Sequence, residues 1–157
     1  IGCYAVVTAR YLFECEPQRV IALVDRDPQF GTDRTISALL DFGAGRRLVF
    51  TASTQSVPYQ RVQVIGERKR IEVRIPFNAT PGKGMEVLTD DGSALDGSGI
   101  RSETMAACDQ YGLQGDAFAR AIRTQTPLAW GVDDAVANMR VIDALFASEK
   151  SGAWVGV

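Results

Sequence analysis

Histidine is absent from all 157 residues. That absence removes Ser-His-Asp and Cys-His catalysis from this chain, and most zinc chemistry with them. Cysteine is scarce: Cys3, Cys15 and Cys108, an odd number with no C-x-x-C spacing. Reduced, packed thiols are the expected state, rather than a disulfide framework or a metal site. There is no basic excess either. Seventeen Lys and Arg face 19 Asp and Glu, for a net charge of −2, and no basic stripe is interleaved with aromatics, so the sequence carries no nucleic-acid footprint. No apolar run approaches the ~20 residues of a membrane span, because the longest are broken by Arg, Asp or Gly. A strand–GxGxxG–helix unit is also missing. The Gly43–Gly45 "GAG" and the Gly97–Gly99 "GSG" occupy hairpin and connector positions, so no dinucleotide fingerprint is present.

What is there reads as α+β. Hydrophobic residues make up 46% and charged residues 23%, an ordinary balance that suits one domain with one sizeable core. The chain starts "IGCYAVVTARYLF", with no initiator Met, polar lead-in or helix cap, as if an element had been cut into. Helical spacing puts Val6, Ala9 and Phe13 on one face, flanked by Val7 and Tyr11, and puts Tyr4 and Thr8 one turn apart on another. "CEP" at Cys15–Pro17 is expected to end this helix. "RVIALVDRD" follows as a strand. "RTISALLDF" and "RRLVFTASTQ" alternate with period two around the "GAG" turn, the expected central hairpin, with Ile36, Ala38, Leu40 and Phe42 on its core face. Its other face is rich in Thr and Ser but uncharged, so it suits either water or a second protein surface. "RVQVIG", "RIEVRIPF", "MEVLTDDG" and "IRSETMA" read as further strands, the first pair joined by a solvated "GERKR" turn. The period then changes. "YGLQGDAFARAIRT" is helical, with Phe118 and Ile122 one turn apart. "DDAVANMRVIDALFASEKSG" is the strongest helix, with an expected apolar stripe of Ala135, Met139, Ile142 and Phe146, an Asp133 cap and Gly152 past its end. Trp130 and Trp154 are expected as core or edge anchors. The expected architecture is a mostly antiparallel, open-faced β-sheet with helices packed on one face.

Three stretches in this order carry a resemblance: "IGCYAVVTARYLFECEPQRVIALV", then "DRTISALLDFGAGRRLVFTAS" with "VIGERKRIEV", then "DAFARAIRTQTP…DDAVANMRVIDALFASEKSGAWVGV". Together they resemble the C-terminal domain of the Gfo/Idh/MocA oxidoreductases, the family of glucose–fructose oxidoreductase and inositol dehydrogenase. The resemblance covers nearly all of the chain. It implies that residues 1–157 are a substrate-binding and oligomerisation domain, excised from a parent whose N-terminal Rossmann domain is not in this chain. That domain would bind NAD or NADP, carry a lysine in a Glu-Lys-Pro-like motif, and leave this fragment with no cofactor of its own. The Asp that opens the family's helix motif would fall one position before Ile1. Tyr4 stands where many members have His. The tyrosine version looks like the subgroup of glucose–fructose oxidoreductase, xylose dehydrogenase and dihydrodiol dehydrogenase, as does "IEVRIPFNATP". The implied small-molecule partner is a sugar or polyol, and the implied assembly is a homo-oligomer through the sheet. The cytoplasm is the implied compartment, with the periplasm as the alternative.

The implied chemistry centres on Tyr4. Oxidising a carbinol needs a group to accept the hydroxyl proton as the carbonyl forms. An ordinary phenol, with a pKa of ~10, is a poor base at neutral pH, and a nearby ammonium makes it a better one. The family's lysine would supply that ammonium. Thr8, one turn on, is a candidate for binding a substrate hydroxyl, and Asp33 and Thr54 are candidates for the pocket border. Arg10 is expected in a structural ion pair rather than on an anionic substrate. The competing readings are an ordinary packed helix tyrosine for Tyr4, ordinary capping or turn residues for the other three, and a non-catalytic β-sheet assembly or binding module for the whole chain.

Overall fold

The structure is a computed structural model that describes residues 1–157. Its elements in chain order are α1 (Cys3–Phe13), β1 (Arg19–Arg26), β2 (Asp33–Asp41), β3 (Arg47–Ser53), β4 (Arg61–Ile65), β5 (Arg70–Arg74), β6 (Met85–Asp90), β7 (Ile100–Met105), α2 (Gln110–Thr124), α3 (Val132–Ser151) and β8 (Val155–Gly156). The expected α+β class holds. The strands divide between two four-stranded antiparallel sheets, β3-β2-β1-β8 and β4-β5-β6-β7. The chain forms two compact units, one of Ile1–Ser56 with Ala129–Val157 and one of Val57–Leu128.

In the first unit the period-two pattern does what a half-buried strand requires. Ile36, Ala38, Leu40 and Phe42 are all buried, and they meet Val20 and Ala22 of β1, Val6 and Ala9 of α1, and Val141, Ala144 and Leu145 of α3. Phe13 at the end of α1 packs edge-on against Phe42, with ring centroids 4.9 Å apart. The hairpin turn needs three left-handed residues in a row, Gly43, Ala44 and Gly45, with φ of 75°, 51° and 78°. Glycine at two of them removes most of the steric cost. Gly2 answers a different demand. A Cβ there would lie 3.2 Å from the Phe50 ring, so its absence lets the start of α1 settle onto β3.

Four expectations are corrected. The helix α1 ends at Phe13, with Glu14 left-handed at φ 53°, before the "CEP" run is reached. The buried face of α3 is Val141, Ala144, Leu145 and Ser148, whereas Ala135 and Met139 are exposed and Ile142 and Phe146 half-buried. The smaller residues win because they let the helix approach the sheet. The cap of α3 is Gly131, and Asp133 falls inside the first turn with Asp134. Cys108 is exposed, while Cys3 and Cys15 are half-buried, all three as free thiols.

Ser148 is the one fully buried hydroxyl. The strand β8 pairs with β1 only at Arg19 and Val20. Beyond it, the Ala22 N–H donates to Ser148 Oγ at 3.1 Å, and Ser148 in turn donates to the Ala153 carbonyl at 2.7 Å. Ser148 thus replaces missing sheet pairing with a helix side chain. Ser148→Ala strands the buried Ala22 N–H and is expected to cost about 2 kcal/mol, read as a lower urea midpoint at constant m. A loss below about 0.5 kcal/mol would mean that the edge is solvated instead.

The second unit is a β4–β7 meander with α2. One sheet face carries an ion-pair ladder: Arg61 and Arg74 on Glu72, Arg74 on Glu86, and Arg70 on Asp90. Those contacts hold Glu72 below the usual carboxylate range, the Gln63 hydrogen bond contributing most. The other face aligns Val62, Val73 and Val87, all half-buried. The Asp109 carboxylate caps α2 by accepting the Tyr111 and Gly112 amides. None of its side chains is buried, Phe118 and Ile122 included. No helix in the chain is long and apolar enough to cross a membrane.

Candidate active site

The helix α1 has two opposed faces. Val6, Ala9 and Phe13 point into the core. Tyr4, Thr8 and Tyr11 recur at i, i+4 and i+7 on the opposite side. Tyr4 is 49% exposed on that side. The Thr8 hydroxyl donates to the Tyr4 carbonyl at 2.7 Å, which occupies its proton and leaves its oxygen lone pairs free to accept from a bound hydroxyl. The structure therefore brings Tyr4 and Thr8 onto one accessible face, with the phenol at the N-terminal end of the helix.

Asp33 and Thr54 fall at one end of the first sheet. Asp33 opens β2 opposite Arg26. The Arg26 guanidinium is held protonated chiefly by its hydrogen bond to Glu149, to which the Asp33 charge adds. Thr54 extends the β2–β3 ladder, with its amide 2.9 Å from the Arg34 carbonyl and its hydroxyl turned to the same oxygen. The Gly2 end of α1 lies over Ile36 and Phe50 of the same two strands.

Arg10 fixes this helix in place. It is 8% exposed and grips Glu16 with two bonds of 2.7 and 2.8 Å. It also reaches Asp134 of α3 at 2.8 Å, with further bonds to the Asp134 carbonyl and Asn138. The Glu16 bond, then that of Asp134, raises its pKa against the opposing effect of burial. Arg10 is thus the expected structural ion pair. Of the core and edge alternatives, Trp130 takes the edge: it is 61% exposed and stands edge-on to Tyr11 with centroids 5.6 Å apart. Trp154 is an edge anchor, with the Arg19 guanidinium 4.7 Å from its ring centroid.

Two surface concavities are bordered by residues 26 and 143–150, and by residues 79–82 and 107–111, with no residue of α1 in either. The N-terminus of α2 is already filled by its own Asp109 carboxylate, and Asp133 and Asp134 in the first turn of α3 would repel a pyrophosphate.

A model of the GFO/IDH/MocA C-terminal domain matches residues 1–72, from α1 through most of β5. The similarity to whole proteins runs further. An uncharacterized oxidoreductase of Rhizobium meliloti is 38% identical over 154 residues, covering 98% of this chain and 46% of that protein. The D-xylose 1-dehydrogenase (NADP(+)) 2 of Haloferax volcanii is 34% identical over 157 residues, 99% of this chain and again 46% of the relative. Residues 1–72 thus match the Gfo/Idh/MocA C-terminal domain, and similarity to oxidoreductases runs the length of the chain. It spans about half the length of the curated relatives it matches.

Solved structures agree on the Gfo/Idh/MocA fold. The aldose-aldose oxidoreductase of Caulobacter crescentus, solved with glycerol, superposes with a TM-score of 0.78 at 24% identity, over 99% of this chain and 46% of its own. A 3-ketoreductase of Actinomadura kijaniata, solved with NADP, gives 0.84 at 18% identity, over 94% and 46%. The strands β6 and β7, with α2 and α3, lie beyond the family-model match, whereas the superposition on the aldose-aldose oxidoreductase covers 99% of the chain.

Proposed function

We propose that this Gfo/Idh/MocA chain is the substrate-binding half of an NAD(P)-dependent oxidoreductase that acts on a hydroxyl of a sugar or polyol. The observation that carries the reading is the end-to-end 34% identity with an NADP-dependent D-xylose dehydrogenase. The parent protein, in this proposal, has a cofactor-binding Rossmann domain outside residues 1–157, and the chain alone is inactive. No residue of this chain is assigned to NAD or NADP.

The part of the reaction that falls to this chain is the handling of the proton. The Tyr4 hydroxyl oxygen takes the proton of the reacting carbinol as its carbon becomes a carbonyl, and returns it in the reverse direction. The Thr8 oxygen accepts from a neighbouring hydroxyl and fixes which carbon is presented. Asp33 and Thr54 border the pocket from the sheet end. Sugar-dependent formation of NADH or NADPH by the parent is the expected result with an aldose or polyol panel. A parent that turns over none of them overturns the reading.

A second role rests on its own observation. The outer face of the first sheet carries Leu23 and Val49, 79% and 75% exposed. Beside them are cross-strand hydroxyl pairs, Thr35 with Ser53 at 2.8 Å and Ser37 with Thr51 at 2.9 Å. Because each pair already spends one of its two O–H donors internally, burying this face leaves fewer polar groups to desolvate. It fits a second copy of the chain. Sedimentation at micromolar concentration is expected to show a dimer or larger, and Leu23→Lys with Val49→Lys to reduce it to a monomer. A monomeric wild type contradicts the assembly.

A further inference from the structure

Glycine is a poor choice at the start of α1 on local grounds. Gly2 is the N-cap of this helix, with φ −55° and ψ −23°, a right-handed conformation open to any residue. Its freedom to adopt positive φ is therefore unused. Ser, Thr, Asp or Asn there would add a side-chain cap, and Ala would lose less backbone entropy. What each of them would also bring is a Cβ. That atom would meet the Phe50 ring at 3.2 and 3.5 Å and Ile36 at 3.7 Å. The ring is itself packed on the core, on the face of β3 that it shares with Leu48 and Ala52.

This close approach bears on Tyr4 through helix geometry. Residues two apart on an α-helix point about 200° from one another, so Gly2 faces the sheet and Tyr4 faces away from it. The Gly2 carbonyl accepts the Ala5 and Val6 amides at 3.1 and 3.3 Å, which makes Gly2 part of the turn that carries Tyr4. The far end of the helix is fixed. Arg10 binds Glu16 and Asp134 there, and Phe13 packs on Phe42. A side chain wedged under Gly2 would tilt the near end and lift the phenol.

We infer that Gly2 is a positioning residue for the proton transfer at Tyr4: its missing Cβ seats the first turn of α1 on the Phe50 ring, and that seating sets how far the Tyr4 hydroxyl stands from the sheet. The inference rests on the acid–base reading of Tyr4 above. A Cβ at 3.2 Å displaces its neighbour by a few tenths of an ångström. Misplacing a reacting group by about 1 Å costs about a hundredfold in rate, so a shift of this size is expected to cost about tenfold.

Two measurements test it. In the 157-residue chain labelled with 3-fluorotyrosine, Tyr4→Phe and Tyr11→Phe assign the fluorine resonances of those two residues. Gly2→Ala should shift the Tyr4 resonance and leave Tyr11, at the fixed end of the same helix, in place. In the parent oxidoreductase, Gly2→Ala should lower kcat about tenfold with KM within about twofold. In a Phe50→Leu background, which removes the ring the Cβ would meet, the same substitution should cost less than about twofold. A glycine that served packing alone would lower the unfolding midpoint and leave kcat unchanged. An unmoved Tyr4 resonance, equal shifts at Tyr4 and Tyr11, an unchanged kcat, or a loss that persists in full beside Phe50→Leu overturns the inference. Tyr4→Phe in the parent separates this role from the reading beneath it. If that variant keeps its activity, the acid–base reading falls and the role of Gly2 falls with it. An inactive Tyr4→Phe beside a fully active Gly2→Ala removes the role of Gly2 alone.

Discussion

Tyr4→Phe in the parent oxidoreductase is expected to lower kcat/KM for its sugar by about a hundredfold or more. A positioned acid–base group contributes roughly two to four orders of magnitude, and the substitution removes that group alone. The ring and its helix position stay. Tyr4 lies on the solvent side of α1, away from Val6, Ala9 and Phe13. The loss should fall on kcat as well as on kcat/KM, because the proton moves only as the transition state forms. A rise in KM at constant kcat would instead mean that the phenol holds the ground state. A variant within a few-fold of wild type would remove Tyr4 from the chemistry.

Arg10→Ala is expected to destabilise the chain by about 3 kcal/mol, the low end for breaking a buried ion pair. The low end applies because Glu16 is half-exposed and water can relieve it, whereas Asp134 is less accessible. Without the guanidinium, those two carboxylates are left at the junction of α1 and α3 with no cation between them. Arg10→Lys should recover only part of the loss, since an ammonium cannot hold Glu16 with two parallel bonds and also reach Asp134. Urea denaturation at unchanged m reads the effect, and a loss below about 1 kcal/mol would show the pair to be solvated.

Much of this fold is written locally. The strands β2 and β3 alternate cleanly because one face is buried and the other open, so Ile36, Ala38, Leu40 and Phe42 could be placed from spacing alone. Tyr4 and Thr8 share a face by helical geometry, and the Gfo/Idh/MocA resemblance picked them out of an unremarkable helix. What stayed hidden depends on distant partners. The helix α3 has two apolar stripes, and the bulkier one was the wrong choice, since close packing on β1 favours Val141, Ala144 and Leu145. Ser148 looks like a surface serine until Ala22, 126 residues away, donates to it. Arg10 has a visible partner in Glu16, but Asp134 is joined to it only by the fold. Trp130 reads as a core or an edge anchor, and only its contact with Tyr11 on the outside of α1 decides for the edge.

The central claim is that these 157 residues supply the proton-handling, sugar-binding half of a nicotinamide-dependent enzyme. It is tested most directly by following NAD(P)H formation with D-xylose and a panel of aldoses and polyols, comparing the parent protein with this chain alone. The account predicts sugar-dependent turnover by the parent and none by the isolated chain. Turnover by the isolated chain, or a parent that oxidises no sugar or polyol, would contradict it.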